Sequence, residues 1–323
     1  MLRKGIGIDI GTTQISICSS QGGLLLHEPN VAAVEIGSGK VLEAGHPALQ
    51  LAKEAPDRVS LCWPVWDPLI KCADVLSQIV KHFLSRAIGR TVIKPIAMVS
   101  VPCDLTEAQT NAVEDALLAA GIYRVYLLEA PLCAALGAGF DFSLPTGQML
   151  VHVGASRTEA AVVFLGDMVT HKTLPVGGIQ FDSAIIHYMR NKHQLYIGRR
   201  TAEQIKKRIG IVAEHDEPKT LEVKGRCMQT KELRIVKLSS KEMLRAMREP
   251  LSDLLDAVVS VVEQTGDEMR ADIAKGGVVL TGKGVLPGLD QFLADVMGLR
   301  TRVATNADTA AVEGAAKALA KLQ

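Results

Sequence analysis

The chain has 323 residues, 48% hydrophobic and 22% charged, enough for about two domains with sizeable cores. Its 36 Lys and Arg against 35 Asp and Glu leave a net charge of +1, so no global field steers it to nucleic acid and none is expected as a partner. No apolar run is long enough to span a bilayer. Polar and acidic residues follow Arg3 and Lys4 too soon for a secretory leader. Cys18, Cys62, Cys72, Cys103, Cys133 and Cys227 are scattered without a CxxC pair, which predicts buried thiols in a reducing cytoplasm, not a disulfide set or metal site.

Chemistry first enters at Gly5-Ile6-Gly7-Ile8-Asp9-Ile10-Gly11-Thr12-Thr13. Apolar β-formers run up to an acid, a glycine turns the chain, and Gln14 to Cys18 alternates as a half-buried strand does. The pattern predicts a β-hairpin with Asp9 at the end of one strand. Consecutive N–H groups in such a tip form an anion-binding concavity, and a carboxylate beside it suits Mg²⁺ held through waters. A plain turn capped by Asp9 has the same pattern.

Gly22 to Leu26 and Val31 to Glu35 read as further strands. Consecutive hairpins are unlike a dinucleotide-binding fold, whose first strand feeds a helix. Ile36 to Trp66 has one short helical patch, Ala48 to Glu54, and predicts a small inserted subdomain. A helix is predicted from Pro68 to Ala87, with Leu69, Ala73, Leu76, Val80 and Phe83 on one stripe. Ile96 to Pro102 is a buried-strand run. Thr106 is placed to cap the next helix, which Gly121 ends. Val125 to Leu128 is a strand, Glu129-Ala130-Pro131 a corner, and Leu132 to Gly139 a helix of small residues. Strand–helix units in succession imply a parallel sheet.

Near Pro145 the pattern begins again. Gln148 to Phe164 repeats strand, glycine turn with hydroxyl, and alternating strand, around Gly154-Ala155-Ser156-Arg157. Two such loops facing each other would grip one polyphosphate from both sides; the internal repeat is the most informative feature of the chain. Gly177-Gly178 leads to helices Phe181 to His193 and Thr201 to Ile211. Strands surround Leu221 to Lys224 and Arg234 to Leu238. Ser239 to Glu242 has the form of a capping box for a long helix through Glu263. Gly276 to Gly284 is a strand with a glycine turn, and Leu289 to Met297 and Asp308 to Leu322 are helices. The expected domains are 1–145, with a small subdomain near 35–66 and the closing helix 308–323, and 146–307, with a small subdomain near 183–247.

This order of hairpin loop, Glu-x-Pro corner, second loop, Gly-Gly and Leu-Thr-Gly-x-Gly resembles that of the actin-like ATPases. In detail it is similar to MreB, the bacterial actin, over nearly the whole chain. The matching stretches include Gly7 to Thr12, Asn30 to Val34, Val101 to Cys103, Gly178 to Ile186, Thr201 to Lys206, Val223 to Arg226 and Glu249 to Leu251. The resemblance implies an α/β, ribonuclease H-like fold in which two duplicated domains, each with a small subdomain, flank a nucleotide cleft. It implies ATP or ADP with Mg²⁺, self-association into filaments that organise cell shape, cell-wall elongation proteins as partners, and a cytoplasmic location at the inner face of the membrane, touched through Met1, Leu2 and Ile88. It assigns Asp9, Gly11, Thr12, Thr13 and Gln14 to the first phosphate loop, with Asp9 also at the metal. Gly154, Ala155 and Ser156 fall in the second. Glu203, Lys206 and Lys207 flank the nucleoside, and Gly282, Lys283, Gly284 and Val285 lie under the base and α-phosphate.

The departures from the family pattern fall where the chemistry is. The second loop of the family reads Asp-Ile-Gly-Gly-Gly-Thr-Thr-Glu; His152 stands for its acid and Arg157 for its first threonine. The glutamate before the corner proline is Ala130, which cannot orient water or take a proton. Glu129 is a poor substitute, because adjacent strand residues face opposite ways. His152 is a poor ligand for hard Mg²⁺ and, with no Cys or His partner at ligand spacing, reads as a packed, hydrogen-bonded histidine in preference to a metal ligand or acid–base group. Arg157 and Lys283, which replaces a glycine, could pair with phosphates in place of the metal, or fill the cleft and pair with Asp9. Lys206 and Lys207 could contact nucleotide or form an exposed helix face. Two functions follow as expectations. One is an MreB-like filament protein that binds ATP with weak or absent hydrolysis. The other is an actin-fold pseudo-ATPase that co-assembles with a true MreB.

Overall fold

The computed structural model describes residues 3–66, 69–89, 92–212 and 218–322. The chain divides into two compact units, 1–143 with 308–323, and 144–307.

The first unit opens with β1 (Gly5–Ile10), β2 (Gln14–Ser19) and β3 (Leu24–Pro29). A small layer follows: β4 (Ala32–Glu35), β5 (Val41–Ala44), α1 (His46–Glu54) and β6 (Val59–Cys62). Next come the two-residue strands β7 (Val65–Trp66) and β8 (Leu69–Ile70), then α2 (Ala73–Ile88), β9 (Ile96–Val101), α3 (Glu107–Ala119), β10 (Arg124–Glu129) and α4 (Ala130–Gly137). The main sheet has the order β10-β9-β1-β2-β3. β1 pairs antiparallel with β2 and parallel with β9. β1 and β9 are buried on both faces, which is why both read as continuous apolar runs. Leu76, Ile79, Val80 and Phe83 of α2 pack into that core.

The second unit contains β11 (Gln148–Val153), β12 (Thr158–Phe164), β13 (Asp167–Leu174), α5 (Gly178–His193), β14 (Leu195–Tyr196) and α6 (Arg199–Ile209). It continues with β15 (Thr220–Cys227), β16 (Leu233–Ser239), α7 (Ser240–Ala246), α8 (Arg248–Gln264), α9 (Asp267–Gly276), β17 (Val278–Thr281), α10 (Leu289–Met297) and β18 (Thr301–Val303). Its main sheet runs β13-β12-β11-β17-β18, the first sheet's connectivity repeated. β11 stands for β1, with a hairpin to one side and a parallel strand to the other. A second, three-stranded sheet has the order β14-β15-β16.

The closing helix α11 (Ala310–Leu322) belongs to the first unit. It lies on α4, a helix of small and apolar side chains that is buried throughout. A Cβ added to Gly314 would sit 1.6 Å from the Cys133 carbonyl oxygen, and one on Gly137 1.8 Å from that of Ala310. The two backbones touch because neither helix carries a side chain there.

Several boundaries differ from the sequence expectation. The helix placed from Pro68 starts at Ala73, because Leu69 and Ile70 pair instead with Trp66 and Val65; Pro68 lies outside the described residues. The long helix through Glu263 is two helices that meet at Met247. Pro250 explains the break: it lacks an N–H and fits the first turn of a new helix, where that donor is unpaired anyway. The capping box at Ser239 and Glu242 is present, as is one at Thr106 and Gln109.

Candidate functional site

In the first unit, Gly11 N donates to the Gln14 carbonyl at 2.8 Å and closes a tight turn between β1 and β2. Asn30, fully buried, holds that turn from below: its backbone N donates to Thr13 O at 3.0 Å and its Nδ2 to Gly11 O at 2.9 Å. Asp9 stands just before the turn. Its register partners are Ser16 on β2 and Ser100 on β9. Burial pushes its carboxyl up to about 6, with Ser100 opposing. Among the described residues the buried Ser100 hydroxyl makes no hydrogen bond of good geometry, and its effect on Asp9 comes from its nearness alone. Glu129 ends β10, the outer parallel strand, and precedes α4, whose first residue is the buried Ala130. Asp9, Ser100 and Glu129 thus sit at the carboxyl ends of three adjacent parallel strands, where open α/β sheets bind ligands.

The second unit repeats the turn. Gly154 N donates to the Arg157 carbonyl, also at 2.8 Å. His152 occupies the place of Asp9: the second-last residue of the central strand, with Glu159 opposite on β12 and Thr281 beside it on β17. Its Nδ1 lies 3.1 Å from Thr281 Oγ1. Burial pushes its pKa down to about 4, so the imidazole is neutral near pH 7. It is the packed, hydrogen-bonded histidine of the two readings. Arg157 stands where the first turn has Gln14, and its guanidinium is 3.8 Å from the buried Glu159 carboxylate.

Two further segments converge on this second turn. Gly178 N donates to Gly154 O at 3.1 Å, Ile179 N to Ala155 O at 2.7 Å, and Gly284 N to Val153 O at 2.8 Å. A Cβ on Gly284 would lie 2.2 Å from Gly154 O, and one on Gly282, which has φ +92°, 2.2 Å from Val153 O. Only glycine permits this approach, so the Gly282–Gly284 loop lies directly on the second turn, with the exposed Lys283 carried between its glycines. Val285 is half-buried against the core.

From α6, Lys206 Nζ donates to Gly178 O at 2.6 Å and pairs with Asp182 at 2.8 Å. Both side chains are about nine-tenths buried. Burial holds the Asp182 pKa above the usual range, with Lys206 opposing. Lys206 is therefore a tie between α6 and the start of α5, and the exposed-face reading fails for it. Lys207 pairs with Glu203 at 2.6 Å on the exposed side. Burial works to raise the pKa of Glu203, but Lys207, Lys206 and Lys283 together hold it below the ordinary value. Lys283 thus belongs to the same charge cluster as the α6 residues.

The sequence reading did not single out Ser100, Thr281, Asn30, Asp182 or Glu159 as site residues. Ser100 had a signal, a hydroxyl next to the end of an otherwise apolar strand run. Of the suggested membrane contacts, Met1 and Leu2 lie outside the described residues. Ile88 is half-buried against the first unit's core, and its carbonyl accepts from Lys4 Nζ at 3.0 Å.

The family model of the MreB/Mbl protein matches residues 3–323. The chain is 35% identical to the cell shape-determining protein Mbl of Bacillus subtilis over 311 residues, 95% of this chain and 92% of that protein. It is 35% identical to the cell shape-determining protein MreB of Escherichia coli K12 over 326 residues, 99% of this chain and 94% of that one. Among solved structures, MreB 5 of Spiroplasma citri bound to AMPPNP superposes with a TM-score of 0.91 at 26% identity, over 97% of this chain and 95% of that one. The MamK double helical filament matches with a TM-score of 0.79 at 16% identity, over 99% of each chain. The fold is that of the actin-like filament proteins.

Proposed function

The chain belongs to the MreB/Mbl family, and from that premise we propose that it is an ATP-binding, filament-forming actin homologue that organises cell shape and hydrolyses nucleotide weakly or not at all. One observation carries the nucleotide assignment: the same glycine-closed turn, with the same 2.8 Å bond, at the end of the central strand of both units. A turn of this kind suits phosphate, and the Spiroplasma relative is bound to AMPPNP in one structure and to ADP in another. The second unit adds Lys283 and the α6 cluster around Glu203, beside its turn.

Weak hydrolysis follows from what the corner holds. Ala130 is a buried methyl that cannot position water, and the Glu129 carboxylate is one residue away. At the position equivalent to Asp9, the neutral His152 turns its Nδ1 to Thr281. Peripheral membrane contact at the cytoplasmic face belongs to the same proposal. Val92, fully exposed four residues beyond Ile88, is a better anchor than the half-buried Ile88, and one such side chain acts only when a filament multiplies it.

Electron microscopy and pelleting of the purified protein, with and without ATP, test the proposal together with phosphate release. ATP-dependent filaments with phosphate release at background are expected. Release that Asp9→Ala abolishes would refute weak hydrolysis. Polymer formed only on mixing with an MreB that does hydrolyse ATP would favour the scaffold reading.

A further inference from the structure

Three of the chain's six cysteines, Cys62, Cys72 and Cys103, are half-buried; Cys18, Cys133 and Cys227 are buried. Cys62 ends β6, where it pairs with Ala32 of β4. Cys72 is the N-cap of α2, whose Leu76, Ile79, Val80 and Phe83 fix it to the first unit's core. Between the two cysteines the chain folds back on itself. Val65 pairs with Ile70 and Trp66 with Leu69. Lys71 N donates to Pro64 O at 2.8 Å and Cys72 N to the same oxygen at 3.4 Å. The base of this hairpin brings the cysteines together, and the Cys62 thiol hydrogen-bonds the Cys72 sulfur. A strand and a helix, each anchored elsewhere, hold the two sulfurs in contact, so joining them needs side-chain rotation and no movement of either element.

We propose that Cys62 and Cys72 form a peroxide-sensitive modification site: a hydroperoxide closes them to a disulfide across the base of the hairpin, and a dithiol reopens it. In a compartment that keeps thiols reduced, a pair of this kind is open at rest and closes transiently. Burial and the neighbouring Cys72 push the Cys62 thiol up to about 11, so Cys72 sheds its proton before Cys62 does. The Cys72 thiolate attacks one peroxide oxygen; the O–O bond breaks, and the departing hydroxide takes up a proton as water. Cys72 is left as a sulfenic acid. Cys62, giving up its proton in turn, attacks that sulfur; the S–S bond forms, the S–O bond breaks and a second water leaves. The two thiols together lose two protons and two electrons, and the peroxide is reduced to two waters. The ring so closed contains both of the chain's tryptophans, Trp63 and Trp66, each exposed. Oxidation therefore fixes the segment that presents them to solvent.

Peptide mapping of the full chain tests this. The native protein is treated with hydrogen peroxide, its remaining thiols are alkylated with iodoacetamide, and it is digested with trypsin without reductant. Trypsin cuts after Arg58, Lys71 and Lys81, so the two cysteines fall in separate peptides, 59–71 and 72–81. The expected result is these two peptides joined, with two fewer thiols alkylated than in untreated protein, and both effects reversed by dithiothreitol. Cys62→Ser should abolish the joined peptide and let Cys72 run on to the sulfinic acid. Cys62 and Cys72 both recovered alkylated after peroxide, or oxidised separately to sulfinic acids, or joined to Cys103 instead of to each other, would overturn the proposal. If the variant fails to fold, the map of the parent protein decides alone.

Discussion

Replacing Lys206 by alanine separates its structural work from any contact with nucleotide. The side chain joins α6 to α5 through Asp182 at 2.8 Å and Gly178 O at 2.6 Å, and the two ionic side chains are 11% and 10% exposed. Removing one partner of a buried pair leaves the other charge uncompensated, at a cost of about 3–5 kcal/mol. At about 2–4 °C per kcal/mol for a unit of this size, melting of the second unit should fall by roughly 6–20 °C. The pH dependence carries the mechanism. Asp182 already has a raised pKa, and losing Lys206 raises it further. A proton then neutralises the stranded carboxylate, so the deficit should shrink as pH is lowered toward the acid range and grow toward neutral pH. Replacing both residues, Lys206→Met with Asp182→Leu, removes both charges and should recover most of the loss. The assay is thermal denaturation without nucleotide across that pH range. A Lys206→Ala protein that melts like the parent, or a deficit independent of pH, would refute this account of the tie.

Asp9 and His152 should bend the stability profile in opposite directions over nearly the same pH window. The folded pKa of Asp9 is raised from 3.8 to about 6, so its contribution is greatest at low pH and is lost as pH rises through that interval. That of His152 is lowered from 6.5 to about 4, so its contribution is present above the unfolded value and is lost as pH falls. Asp9→Asn should gain on the parent as pH rises toward 6, and His152→Gln as pH falls toward 4, each by up to roughly 3 kcal/mol; chemical denaturation at several pH values measures both. Gly284→Ala places a Cβ 2.2 Å from Gly154 O and should cost about 1–3 kcal/mol or more, with ATP affinity lost alongside in titration.

Fold and lineage were legible because the repeat is written twice in local chemistry: strand, glycine, hydroxyl, strand. Both turns formed where the pattern put them, since the glycine and the alternating strands are each determined by near neighbours. Ser100, Thr281 and Asp182 escaped notice because their roles come from register and from helix packing across tens of residues. α9 and β18 also went unseen; the first is polar over most of its length and the second has three residues. Lys206 shows the limit in the other direction. Its spacing on α6 cannot distinguish an exposed cation from one buried against Asp182, because that depends on where α5 begins.

Equilibrium dialysis of purified protein against labelled ATP tests the central claim most directly. The account predicts saturable binding at one site per chain, displaced by ADP. Retention no greater than that of a protein without such turns would contradict it, and the paired glycine turns would then be structural remnants.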